Sequence, residues 1–223
     1  MKPRKVYLAA LRREIAPLVR HLPKIAGGRV ELWGNEQCMV GYGGMGPAAA
    51  TRAFQTVLAL GPVASLASIG WAGSCQEEIA IGQVLRPSTV IDSRTGERFA
   101  TASGDGGVVV TLDHFAGLEE KHRLKQAYAA DCVEMEAATL ARLSEAHGIP
   151  FYCIKSISDT PDFELQGIAS FHTADGGFRE GAFAWFAALR PWLWPAVMKM
   201  ARGSKLAMQR LCAEVERELK AIG

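Results

Sequence analysis

Two hydrophobic periods take turns along this chain. Short runs rich in Val, Ile, Leu and Ala, at 6–10, 63–73, 84–91, 108–112 and 151–157, have the length and composition of buried strands. Between them apolar positions recur at helical spacing. Ile15, Leu18, Val19 and Leu22 predict a helix over 13–22, and similar patterns predict helices over 48–60, 118–128 and 136–147. Gly27 and Gly28 precede a hairpin of 30–32 and 38–40, turned through Gly34 and Asn35. Pro47 stands at a helix first turn, while Gly148 and Pro150 end the last of these helices before strand 151–157. Residues 103–107 read as a flexible connection, 160–177 as loop, and 180 onward as helix broken at Pro191 and Pro195. Strands alternating with helices predict an α/β fold, a mixed central sheet flanked by helices, in a single domain spanning 1–223.

Composition narrows the classes of partner. Hydrophobic residues make up 49% of the 223 and charged residues 22%, as in compact globular chains. A net charge of +2 lacks the basic excess of a nucleic-acid binder, so no nucleic-acid partner is expected. The cysteines at 38, 75, 132, 153 and 212 form no CxxC pair, and they read as reduced thiols of a cytoplasmic protein. With the five histidines dispersed, no metal site is expected either. The apolar run 6–11 is too short for a secretory signal. The Trp-rich stretch 182–201 is interrupted by Arg190, Lys199, Pro191 and Pro195, which argues against an integral membrane segment and leaves a buried helix pair, an interfacial role or an oligomer contact open.

Chemistry concentrates where strands end. Cys132-Val-Glu-Met-Glu-Ala-Ala138 places two carboxylates and a thioether at the mouth of a helix, the position where open α/β sheets bind ligands. A carboxylate there accepts both hydrogens of a vicinal diol; alternatively Glu134 and Glu136 are first-turn acids favoured by the helix dipole, with Met135 in the core. Lys155-Ser-Ile-Ser-Asp159 ends a buried strand in an Asp, fit either to exchange a proton with a heteroaromatic nitrogen or to make an Asx turn. Gly41-Tyr-Gly-Gly-Met-Gly46 and Ile69-Gly-Trp-Ala-Gly73 let backbone approach a ligand or form tight turns, and neither has P-loop spacing.

Taken together and in this order, these segments resemble the purine nucleoside and uridine phosphorylases, within them the methylthioadenosine/S-adenosylhomocysteine and adenosylhopane nucleosidases, over about 6–159. The resemblance implies a nucleoside phosphorylase-like fold and cleavage of the N-glycosidic bond of a purine nucleoside-like small molecule, without cofactor. It makes Asp159 the acid near N7 of the base, supported by Ser158, and Glu136 the clamp on the ribose hydroxyls, with Met135 beside the sugar. Glu14, in Ala10-Leu-Arg-Arg-Glu-Ile15, becomes the base that activates water; Phe115 stacks on the base, and Gly44, Ala72 and Gly73 fall on sugar- and base-side loops. Family members are homodimers or larger homo-oligomers. Trp71 stands where a small Ser is usual, and Lys155 where the nucleosidases place an Arg.

Three functions follow from that resemblance. Hydrolysis is favoured, because the early Gly-Asp-Pro-x-Arg phosphate segment is missing and Ser68 takes the place of a second phosphate-binding Arg. Phosphorolysis, with phosphate as co-substrate, is the alternative. A non-catalytic nucleoside binder is the alternative of a different class, although it needs only the diol clamp and not an acid and a base as well. A dinucleotide-dependent oxidoreductase is set aside, since residues 9–14 contain no glycine.

Overall fold

The computed structural model describes residues 2–102, 106–165, 167–171, 173 and 176–220; part of the connection expected at 103–107 lies outside them. Strands β1 (Arg4–Ala9), β2 (Lys24–Ala26), β3 (Glu31–Gly34), β4 (Cys38–Tyr42), β5 (Val63–Ser74), β6 (Val84–Leu85), β7 (Thr89–Asp92), β8 (Arg98–Ala100), β9 (Val108–Thr111), β10 (Cys132–Glu134) and β11 (Phe151–Asp159) form one mixed sheet. Helices α1 (Arg12–Ile15), α2 (Pro47–Ala59), α3 (Leu118–Tyr128), α4 (Ala137–Ala146), α5 (Glu180–Ala188) and α6 (Trp194–Lys220) flank it.

The sheet branches at β5, the longest strand. It pairs in parallel with β1 through Val63–Ser68 and with β11 through Leu66–Gly73, and its last two residues pair antiparallel with β10. The C-terminal ends of β1, β5 and β11 therefore reach the same edge of the sheet. Successive strand residues point to opposite faces, so Val6 and Leu8 join one core with Phe54 of α2 and Leu140 of α4, while Tyr7 and Ala9 join another with Leu211 and Val215 of α6. Each fully buried Phe54- or Leu140-sized side chain contributes about 1.5–3 kcal/mol of burial to holding its helix on the sheet. A separate aromatic cluster around Phe171 and Phe183, with Phe163, Phe178 and Phe186 against it, ties the 160–188 region together away from the sheet.

Three prolines account for most departures from the expected elements. The helix expected over 13–22 is a single turn, α1, followed by turns, because Pro17 has no N–H to continue the ladder. The strand expected over 84–91 is split into β6 and β7 around Pro87, for the same reason. Pro195 does not break the C-terminal helix: it lies in the first turn of α6, where an N–H has no intrahelical partner to lose. Strands β2 and β8, three residues each, were not anticipated, being too short to show a period. The tryptophans of 182–201 are not a buried helix pair, since Trp185, Trp192 and Trp194 are exposed. All five cysteines are free and buried.

Candidate active site

Glu14 is brought to the sheet edge by the sharp exit from β1. Its carboxylate is buried and accepts three backbone N–H groups: Oε2 from Ala10 at 3.0 Å and Leu11 at 2.8 Å, Oε1 from Trp71 at 3.0 Å. The first two cap the start of α1 and the third links the end of β1 to the end of β5. Burial pushes its carboxyl above the usual carboxylate range, against the pull of those N–H groups, of Lys155 and of Arg13.

The two glutamates of the Glu-Met-Glu segment point in different directions. Glu134 is structural. Its carboxylate accepts the N–H groups of Glu136 and Ala137 at the mouth of α4, takes the Thr111 hydroxyl at 2.5 Å, and pairs with Lys155 Nζ at 2.9 Å. Glu136 turns the other way, into the space at the sheet edge, where Oε1 accepts the Gly46 N–H at 2.7 Å. Gly46 has φ +84°, so glycine is what lets the chain present that N–H and enter α2 through Pro47. Burial, and next the nearby Glu134 charge, push the Glu136 carboxyl up to about 8.

Lys155, unexpected where the resemblance places an Arg, sits fully buried under the site and donates to Ser68 Oγ at 2.9 Å as well as pairing with Glu134. Burial alone would lower its ammonium; Glu134, Cys153 and Glu136 more than offset this and hold it above the usual lysine range. The Lys155–Glu134 pair supports the site from behind, since Glu134 but not Lys155 reaches the cavity wall.

At the end of β11 the pairing with β5 shifts between Ile157 and Asp159, a bulge that turns Ser158 and Asp159 toward the same space. Ser158 donates to Asp159 Oδ1 at 2.6 Å, and the buried Lys121 of α3 donates to Asp159 Oδ2 at 2.5 Å and to the Thr160 carbonyl at 3.1 Å. Gly73 packs close opposite: a Cβ there would stand 2.8 Å from Asp159 Oδ2 and 3.1 Å from Lys121 Cε, so those side chains would have to shift. Sequence reasoning missed Lys121. The available signal was a lysine in the buried stripe of α3, three residues before buried Leu124.

These groups converge on a cavity of about 370 Å³. Glu14, Ala72, Gly73, Phe115, Met135, Glu136, Ser158 and Asp159 line it, together with Lys121 and Arg13. Gly44 does not; it lies behind the wall, its N–H on the Ala10 carbonyl at 2.9 Å, and Met45 lines the cavity in its place. His114 stands at the rim between Asp113 (2.6 Å) and Glu120 (2.8 Å), which raise its imidazole, Asp113 more than Glu120. Trp71 forms part of the Glu14 side, with the Arg13 guanidinium 5.2 Å above its ring and 5.4 Å from that of Phe178. The opposite wall is apolar and comes from 163–204: Phe163, Leu165, Ile168, Phe178 and Met200.

Comparison with known proteins places the chain's sequence and fold among relatives. The sequence profile described as the phosphorylase superfamily matches residues 6–106 and 100–180. A 5′-methylthioadenosine/S-adenosylhomocysteine nucleosidase of Listeria monocytogenes is 38% identical over 72 residues, which are 30% of this chain and 31% of the relative, so the match spans about a third of that relative's length. The fold is shared with futalosine hydrolase of Helicobacter pylori (TM-score 0.74, 19% identity, 98% of both chains). It is also shared with the 5′-methylthioadenosine/S-adenosylhomocysteine nucleosidase of Neisseria meningitidis in complex with methylthio-immucillin-A (TM-score 0.74, 16% identity, 99% of this chain and 100% of the other).

Proposed function

The chain belongs to the phosphorylase superfamily, and from that premise we propose that it hydrolyses the N-glycosidic bond of a purine nucleoside-like substrate and releases the free base. One observation carries the reading: a carboxylate fixed by three N–H groups, a second carboxylate on a helix mouth and a Ser-supported aspartate line one cavity of nucleoside size. Asp159, which takes up a proton from solvent, passes it to N7 of the base as the C1′–N9 bond breaks, and Ser158 and Lys121 hold the carboxylate left behind. Glu136 holds the 2′ and 3′ hydroxyls, fixing the sugar as positive charge develops on it. Glu14 takes the proton of the water that bonds to C1′, a role favoured by its position above ordinary carboxylates. Phe115 and Met135 face the base and the sugar, and the apolar wall of Phe163, Leu165 and Met200 suits an apolar 5′ substituent.

No cofactor is invoked. The five reduced cysteines support a cytoplasmic setting, and the superfamily premise supports one domain over 1–223 and a homodimer or larger homo-oligomer. Phosphorolysis is kept as a second reading because Arg13 lines the cavity beside Glu14, where a phosphate would attack. Release of free adenine from methylthioadenosine, S-adenosylhomocysteine and adenosine, with and without phosphate, decides between them. Phosphate-independent release supports the hydrolase; strict dependence makes the chain a phosphorylase, and no release from any of the three counts against both.

A further inference from the structure

The cavity, the Lys155–Glu134 pair and the rim histidine all belong to the site already described. A feature it leaves unused is the outer surface of α5, the turn after it and the start of α6. Trp185, Trp192 and Trp194 are 69%, 72% and 53% exposed, and Leu189 and Met198 stand out beside them. Soluble proteins seldom expose such large apolar groups together without a partner. The segment 181–210 contains Arg190, Lys199, Arg202, Lys205 and Arg210 and not a single Asp or Glu. On α6, Trp194, Met198, Arg202 and Lys205 follow one another at helical spacing of four, four and three, so an apolar tip passes into a basic collar along one exposed stripe. Lys199 lies 3.9 Å from Asp162, an exposed ion pair at the edge of this collar.

We propose that this Trp-rich, acid-free surface docks the protein on the headgroup region of an anionic lipid bilayer. Tryptophan is the residue that settles at the membrane interface, its ring in the apolar boundary and its N–H among headgroups, and a basic collar behind it meets anionic phosphates. Among the described residues no helix is long and apolar enough to cross a bilayer, so the attachment is peripheral. A second copy of the chain is a poorer occupant, because a two-fold contact through this surface sets one acid-free basic collar beside another. The surface adjoins the cavity: Met200 and Ser204 of the same α6 turns line it, and Gly203 packs so closely on the end of β11 that a Cβ there would stand 2.2 Å from the Ser158 carbonyl oxygen. A docked molecule therefore presents the apolar wall of the cavity near the lipid. The inference goes beyond the glycosidic-bond reading and is tested without turnover.

The experiment is co-sedimentation of the full chain with vesicles of phosphatidylglycerol and phosphatidylcholine, and with phosphatidylcholine alone, alongside tryptophan emission. Wild type is expected to bind the anionic vesicles with a blue-shifted emission, to release as salt rises, and to bind the neutral vesicles at least about tenfold less. The double variants Trp185→Ser/Trp192→Ser and Arg202→Glu/Lys205→Glu, all at exposed positions, are each expected to weaken binding by about tenfold or more while leaving the circular dichroism spectrum unchanged. Failure of wild type to bind anionic vesicles, or equal binding by both variants, overturns the proposal. So does a fall in sedimentation coefficient of the Trp variant in the absence of lipid, which would show that the surface joins copies of the chain.

Discussion

The two walls of the cavity are built on opposite principles. The sheet-edge wall is polar and over-determined: Glu14 is fixed by three N–H groups, Glu136 by Gly46, and Asp159 by Ser158 and Lys121. The wall from 163–204 is apolar and is held chiefly by ring packing around Phe171 and Phe183, with the Met45 N–H donating to the Gly176 carbonyl at 2.7 Å. Groups that move protons must be placed to within tenths of an ångström, and only the rigid strand ends offer that; a wall that accommodates a substituent needs size and apolarity. Under the proposed hydrolysis, the difference puts chemistry on one side and selectivity on the other.

If that division is right, substitutions on the polar wall act on rate and those on the apolar wall on substrate choice. The largest effect is expected for Asp159→Asn, which keeps shape but removes the proton: kcat/KM should fall by about 10²–10⁴, with an unchanged circular dichroism spectrum. Next comes Lys155→Met, which leaves Glu134 buried without its cation; a loss of about 3–5 kcal/mol in stability is expected by urea unfolding, and a small loss would mean that the pair is dispensable.

Glu136→Gln replaces one carboxyl oxygen by an amide NH2 that cannot accept from the sugar diol, and KM for a nucleoside should rise by about ten- to a hundredfold. The same variant has a stability signature. Because the fold raises this carboxyl to about 8, its contribution to stability is complete below the ordinary glutamate value and is lost as pH rises through 8. Above pH 8 the Gln variant is therefore expected to melt higher than wild type, and the two should converge in acid. The smallest effect is expected for Leu165→Ala, about tenfold or less on a nucleoside with an apolar 5′ group and none on adenosine. An equal loss on both substrates would break the division between the walls.

The polar wall was legible in the sequence and the apolar wall was not. Glu136 and Asp159 lie in short segments next to strand ends, where local pattern points to a site, whereas Glu14 came only from the family resemblance; all three line the same cavity. Lys121 reaches Asp159 from 38 residues away, and no local period reports a long-range ion pair. Phe163, Leu165 and Ile168 of the apolar wall come from the stretch that read as loop and Met200 from the C-terminal helix, brought together by aromatic packing with no spacing to betray it. Of the elements, 118–128 matched to the residue, whereas the departures at Pro17, Pro87 and Pro195 turn on where a missing N–H matters. Gly44 shows a subtler limit: the glycine loop was identified, but which of its residues faces the cavity is set by the Ala10 contact and not by the motif.

The most direct test of the account is to run the reaction in ¹⁸O-labelled water with phosphate present and to weigh the sugar product, for wild type and Glu14→Gln. Free sugar carrying the label at C1′, formed by wild type and lost in the variant, is the predicted result. A sugar 1-phosphate without label, or labelled sugar formed equally well by the variant, would contradict the assignment of this cavity as a hydrolytic site with Glu14 as its base.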